Sequence, residues 1–134
     1  MPKKVISICG SMTFIDEMEN LAKGLESSGW QAHTPERSEA DFRWDSLSVR
    51  ETLQFKKAYI DTHLNKIRQS DVVLVANYPK HNINGYIGAN SLMEASFAYA
   101  LGIPVHFLFP IGEQSCQLEA KSIATRVLNG VMNQ

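Results

Sequence analysis

Residues 71–76 read Asp-Val-Val-Leu-Val-Ala, an aspartate followed by an unbroken apolar run. A run this short, rich in valine and apolar at every position, describes a strand buried on both faces. Such strands belong to parallel sheets covered by helices on each side. The run empties into Asn77-Tyr-Pro-Lys80-His81-Asn-Ile-Asn84-Gly85-Tyr86-Ile-Gly88-Ala-Asn90, a loop rich in glycine and amide side chains. A helical pattern follows and stops at Gly102-Ile-Pro104.

The rest of the chain repeats this alternation. Residues 5–9 form a first strand that stops at Gly10-Ser11. Phe14, Ile15, Met18, Leu21, Ala22 and Leu25 recur at helical spacing and predict a helix over 14–25. A second strand is expected at 30–34. Residues 36–50 are polar and aperiodic apart from Phe42, Trp44 and Leu47, and read as a long excursion with aromatic anchors, a candidate lid. A long amphipathic helix is expected over 51–69 and a strand at 72–76. A helix over 92–101 ends at Gly102, a strand spans 105–109, and a last helix covers 116–128. This order calls for right-handed crossovers onto a parallel sheet of four to five strands, in one three-layer, flavodoxin-like α/β domain over 1–134.

Composition removes several classes of function. Over 134 residues, 44% are hydrophobic, 20% are charged and the net charge is −1. Nothing there attracts a nucleic-acid polymer or an acidic membrane. No apolar run approaches the ~20 residues that cross a bilayer. The opening residues pass directly into strand sequence without a secretory h-region, so a cytoplasmic setting is expected, with Cys9 and Cys116 as free thiols. Cys9 reads as a small buried strand residue rather than a nucleophile. His33, His81 and His106 show no metal-ligand spacing, and neither a metal nor a cofactor is expected.

In doubly wound folds, ligands sit beyond the carboxyl ends of the strands. That edge would carry Gly10, Ser11, Met12, Thr13, residues 34–37, Asn77 and the loop with Tyr86, Gly88, Asn90 and Ser91. Gly10-Ser11 opens a helix and suits a phosphate or hydroxyl, although Ser11 or Thr13 is equally an N-cap. It matches neither a Walker loop nor the three-glycine dinucleotide fingerprint. Asp71 stands at the opposite end of its strand and reads as structural. Ser91-Leu-Met-Glu94 has two meanings. It spells a capping box, with Ser91 at N-cap and Glu94 at N3, yet a lone carboxylate at such a pocket also suits a nucleophile. Lys80 and His81 are read as ordinary loop charges able to meet an anion. His63 sits in the long helix, a position more often structural than catalytic.

The stretch Asp71-Val-Val-Leu-Val-Ala, a glycine loop, and then Ser91-x-x-Glu94-x-x-x-Ala98-x-Ala100-x-Gly102-x-Pro104-Val105 resembles the nucleoside 2-deoxyribosyltransferase superfamily, which includes the 2′-deoxynucleoside 5′-phosphate N-hydrolases. Ile-Cys-Gly10-Ser11 resembles the opening of the hydrolase branch, where the loop holds a 5′-phosphate. The resemblance implies that Glu94 attacks the anomeric carbon of a nucleoside or nucleotide and displaces its base. It also implies a small-molecule partner, no cofactor, and a homodimer or larger oligomer. The chain departs from the pattern at three places. His63 stands where the family has a helical aspartate that assists base departure, Asn77 stands where transferases place another aspartate, and Met12-Thr13 replaces a tyrosine or arginine. His63 is therefore the candidate acid beside Glu94. Gly10, Ser11, Met12, Asn77, Tyr86, Gly88, Asn90 and Ser91 are the candidate substrate contacts. Two other functions fit the same residues: a non-catalytic nucleotide-binding or sensing domain, and cleavage of a nicotinamide–ribose bond.

Overall fold

The structure is a computed structural model that describes residues 3–130. Residues 1–2 of the expected leaderless start and 131–134 of the domain lie outside them. Five strands, β1 (Val5–Cys9), β2 (Gln31–His33), β3 (Val72–Val75), β4 (Val105–Phe107) and β5 (Arg126–Val127), form one sheet in the order β2-β1-β3-β4-β5. Every pairing is parallel. From β1 the chain winds outward to β2, then crosses back to β3 on the other side. The switch in winding direction, where such folds bind ligands, lies between β1 and β3.

Alternation along the strands sets the layers. Ile6, Ile8 and Leu74 point to one face and pack on Met18, Ala22 and Leu25 of α1 (Ile15–Ser27). Cys9, Val73, Val75 and Phe107 point to the other. There they meet Ile67 of α3 (Val49–Arg68), Ala95 and Ala98 of α4 (Ala89–Ala100) and Ala120 of α5 (Gln117–Ile123). The three-layer, flavodoxin-like expectation holds. Asp71 is structural, as its place at the strand's start predicts: its Oδ2 accepts from the Val5 N–H at 2.8 Å.

Three boundaries differ from the periodicity. The expected helix over 116–128 ends at Ile123, and residues 126–127 become β5 instead. The Thr125 N–H donates to the Val105 carbonyl at 2.8 Å and Thr125 Oγ1 accepts from the Val105 N–H at 3.0 Å, so an edge ladder outcompetes another helical turn. The excursion is partly ordered by α2 (Arg37–Ala40) and a 3₁₀ turn at Trp44–Ser46. The long helix starts at Val49 rather than 51, because Ser48 and Glu51 form a reciprocal capping box at 3.1 and 3.0 Å.

The third difference concerns Glu94. α4 begins at Ala89, three residues earlier than the sequence suggests, with Gly88 as its N-cap in extended backbone and no side-chain cap. The Leu92 N–H already donates to the Gly88 carbonyl at 3.0 Å. Ser91 therefore lies inside the helix, and Glu94 stands in the second turn. The capping-box meaning of this pair is excluded.

Candidate active site

The glycine loop before α4 is held by its neighbour rather than by its own ladder. Gln114 Oε1 accepts from the Ile87 N–H at 2.8 Å, and its Nε2 donates to the Gly85 carbonyl at 2.9 Å and the Gly112 carbonyl at 3.1 Å. Gly85 has φ +71°, and a Cβ there would collide with the Pro110 carbonyl oxygen. Only glycine fits. Gly10, on the other side of the switch point, is tight but less constrained, since a Cβ would stand 2.8 Å from the flexible Met18 Sδ and 3.1 Å from the Ala76 carbonyl oxygen.

Between these two loops opens a cavity of about 370 Å³, a suitable size for a small polar ligand. Of the predicted residues, Gly10, Ser11, Met12, His63, Tyr86, Gly88, Asn90, Ser91 and Glu94 line it. Asn77 does not. It is buried and commits both amide atoms to Phe109, donating to its carbonyl and accepting from its N–H at 2.9 Å each. Phe42 and Trp44 also stay out of the cavity wall. They stack with Phe55 and Tyr59 and anchor the excursion, which supplies Glu36 and Glu39 to the wall in their place.

Glu94 enters the cavity from α4 with only 8% of its surface exposed. Burial pushes its carboxyl up to about 8, and the charge of Glu39 adds to the rise; a hydrogen bond with the Cys9 thiol pulls the other way. His63 enters from α3, 5% exposed. Its Nε2 lies 3.1 Å from the Ile8 carbonyl oxygen, which only accepts, so the ring proton sits on Nε2. Nδ1 is left as a buried lone pair with no partner among the described residues. Burial first, then the charge of Lys66, lowers this imidazole to about 4. At neutral pH it is uncharged, with its proton committed to the backbone, so it is poorly placed to protonate a departing base. Cys9 reaches the same spot from β1, its Sγ 3.6 Å from His63 Nε2. Burial, followed by the nearby Glu94 carboxylate, raises this thiol well above its usual value.

Opposite stands Lys80, set aside in the sequence as a loop charge. A short bridge between Lys80 and Ile83, with His81 and Asn82 at positive φ, turns the chain back. Lys80 Nζ donates to Ser11 Oγ at 2.7 Å and has no carboxylate partner among the described residues. By contrast, Lys66 is neutralised by Glu36 at 3.2 Å, and Lys56 faces Glu39 at 3.6 Å. Ser11 caps the turn before α1 by accepting from the Thr13 N–H at 3.3 Å, so the uncompensated cation sits at a helical N-terminus.

No protein-family model and no curated protein matches the chain. Solved structures do. A 2-deoxyribosyltransferase from the psychrotolerant bacterium Bacillus psychrosaccharolyticus superposes with a TM-score of 0.66 at 16% identity, over 93% of this chain and 85% of that one. The CMP N-glycosidase BcmB of Clostridium botulinum superposes with a TM-score of 0.52 at 14% identity, over 98% and 91%. The fold is therefore that of the nucleoside 2-deoxyribosyltransferases and their N-glycosidase relatives.

Proposed function

We propose that the protein cleaves or transfers at the N-glycosidic bond of a nucleoside 5′-monophosphate, with Glu94 as nucleophile. The observation that carries this is the position of Glu94. It is a buried carboxyl at the wall of a cavity on the carboxyl edge of the sheet, free of any capping duty. In the reaction a Glu94 oxygen bonds to C1′ as the C1′–N bond breaks, and the bonding pair leaves with the base, which takes up a proton. Water or a second base then displaces the glutamate and restores the carboxylate. The two structural neighbours, by name a deoxyribosyltransferase and a CMP N-glycosidase, support this bond as the target.

The 5′-phosphate is assigned to Lys80, Ser11 and Gly10. A cation held by a hydroxyl at a helix N-terminus, without a protein counter-ion, meets a dianion favourably. His63 acts as a neutral hydrogen-bonding wall rather than as the acid. Glu39, across the same cavity, is the carboxyl available to the departing base. Gly88, Asn90, Ser91, Tyr86 and Met12 are assigned to sugar and base. A homodimer is part of the same proposal. Ile60, Leu64, Leu92, Met93 and Phe97 form an apolar groove between α3 and α4 that shares Ile60 and Glu94 with the cavity, and a second copy covering it would close the site from that side.

The test is incubation of chelator-treated protein with nucleosides, their 5′-monophosphates and NAD, with and without an acceptor base. Wild type is expected to release free base from a monophosphate, and Glu94→Gln to release none while still binding. Exchange with acceptor identifies a transferase, and nicotinamide release from NAD moves the substrate class. A specific observation favours one other function. A carboxyl near 8 is largely protonated at neutral pH, as in a binding domain that uses Glu94 as a hydrogen-bond donor. Ligand-induced stabilisation without base release selects it.

A further inference from the structure

Behind the cavity wall, His63 and Glu94 meet Cys9, three side chains that the glycosidic chemistry does not require together. Cys9 Sγ, a ring nitrogen of His63 and a Glu94 carboxylate oxygen all lie within 4.8 Å of one another, and all three residues are buried. We propose that Cys9, His63 and Glu94 form a binding site for a thiophilic divalent metal, Zn²⁺ being the best match, and that its occupancy switches the pocket off by engaging Glu94. The switching half rests on the nucleophile role proposed above; the binding half does not.

The donor set selects the ion. One thiol, one imidazole and one carboxylate make a mixed S/N/O site that suits Zn²⁺, whereas Ca²⁺ and Mg²⁺ require oxygens. His63 and Glu94 line the cavity, which leaves a fourth position for water. Zn–S and Zn–N bonds of ~2.3 and ~2.0 Å set ligand atoms roughly 3.5 Å apart, so ligand atoms now within 4.8 Å of one another draw in on binding. The imidazole reaches the cluster through Nε2, which lies 3.6 Å from Cys9 Sγ and 3.1 Å from the Ile8 carbonyl oxygen, while its Nδ1 is buried without a partner among the described residues. An orphaned buried nitrogen of this kind calls for an explanation, and a bound ion beside the ring is one.

The ligands come from three elements, which is why spacing along the chain does not show them. Cys9 ends β1 on the face opposite Ile8, while His63 and Glu94 descend from α3 and α4 onto that same face. On binding, the Cys9 S–H and the Glu94 carboxyl each release a proton to buffer as their bonds to Zn²⁺ form. The two anions cancel the charge of the ion. A carboxylate bonded to zinc cannot attack C1′.

The test uses the full chain with Cys116→Ser, which removes the other thiol, after treatment with a chelator and its removal. Zn²⁺ binding is measured by calorimetry and native mass spectrometry, and Co²⁺ serves as a spectroscopic probe. One ion per chain is expected, with a thiolate-to-cobalt charge-transfer band. Cys9→Ser should abolish the band, and His63→Gln should weaken zinc by about tenfold or more. Circular dichroism and thermal melts establish that each variant folds, and either one suffices if the other does not. Absence of one-to-one binding, or affinity unchanged in the folded variant, overturns the site. Base release should fall as zinc saturates and return with chelator. Zinc bound with base release intact overturns the switch. Zinc bound with no base release in any state leaves the site standing and removes the glycosidase reading instead.

Discussion

At Glu94 the proton balance gives a stability effect of definite sign. The folded protein holds this carboxyl at about 8, against ~4.5 when unfolded, so the native state carries an extra proton between those values. Stability therefore falls as pH rises through that window and levels off above it. Glu94→Gln keeps the shape without the charge. Its melting temperature should exceed that of wild type at about pH 9 and match it at about pH 5, in chelator-containing buffer. A nucleophilic Glu94 also requires kcat/KM to rise with pH towards a plateau above about 8; a fall over that range would make the group a proton donor instead. His63 runs the other way. Its folded value of about 4 lies below the ordinary 6.5, so its contribution is full above 6.5 and is lost as pH falls to 4. Lys80→Ala should raise KM for a 5′-monophosphate about ten- to a hundredfold while leaving the nucleoside nearly unchanged, the scale of one lost charge-assisted contact. Among single residues, Glu94 and His63 are singled out in the sequence by the family resemblance. Cys9 and Lys80 are not, because each acquires its meaning from a neighbour on another element.

The elements were legible where one face dominates. β1, β3 and α1 follow their apolar pattern, since all three depend on burial within the sheet layers. The failures fall at ends. α5 stops early because the Thr125–Val105 ladder is a long-range pairing with no local signal. α4 starts early because Gly88 in extended backbone serves as N-cap without a side chain, so the local Ser91–Glu94 pattern misleads. The loop before α4 sets where that helix begins, and Gly85 is its tightest point. Gly85→Ala should destabilise the protein by more than ~1 kcal/mol, because positive φ and the approach of the Pro110 carbonyl both oppose a Cβ. Chemical denaturation measures the cost. Activity lost beyond that cost, at a temperature where the variant remains folded, would show that Glu94 has moved with its helix.

Across the whole molecule, strand order places the candidate site. With β1 and β3 adjacent at the sheet's centre, the loops after each meet at one edge, and α3 and α4 bring His63 and Glu94 to the end of β1. Parallel winding was legible from the alternation of elements. The observed order is that of the flavodoxin-like winding expected from the same alternation, although no single residue marks which strands become neighbours. Among the described residues no helix is long and apolar enough to cross a membrane. Val49, Leu53 and Met93 nonetheless stand exposed on α3 and α4, the helices that form the apolar groove. Light scattering should return about twice the 15.0 kDa chain mass, and Met93→Lys should shift it towards the monomer. A monomeric wild type would assign those side chains to something other than a second copy.

The excursion between β2 and α3 stands on foundations of its own. Phe42, Trp44, Phe55 and Tyr59 grip one another outside the sheet's two cores, while Pro35, Glu36 and Glu39 face the cavity. Heritable change at these wall positions thereby leaves the apolar packing of both sheet faces untouched. Selection for a new ligand could rewrite the wall at 35–39 while the aromatic clasp and the Glu94 carboxyl stay in place, which makes this stretch the natural one to exchange when a different ligand is wanted.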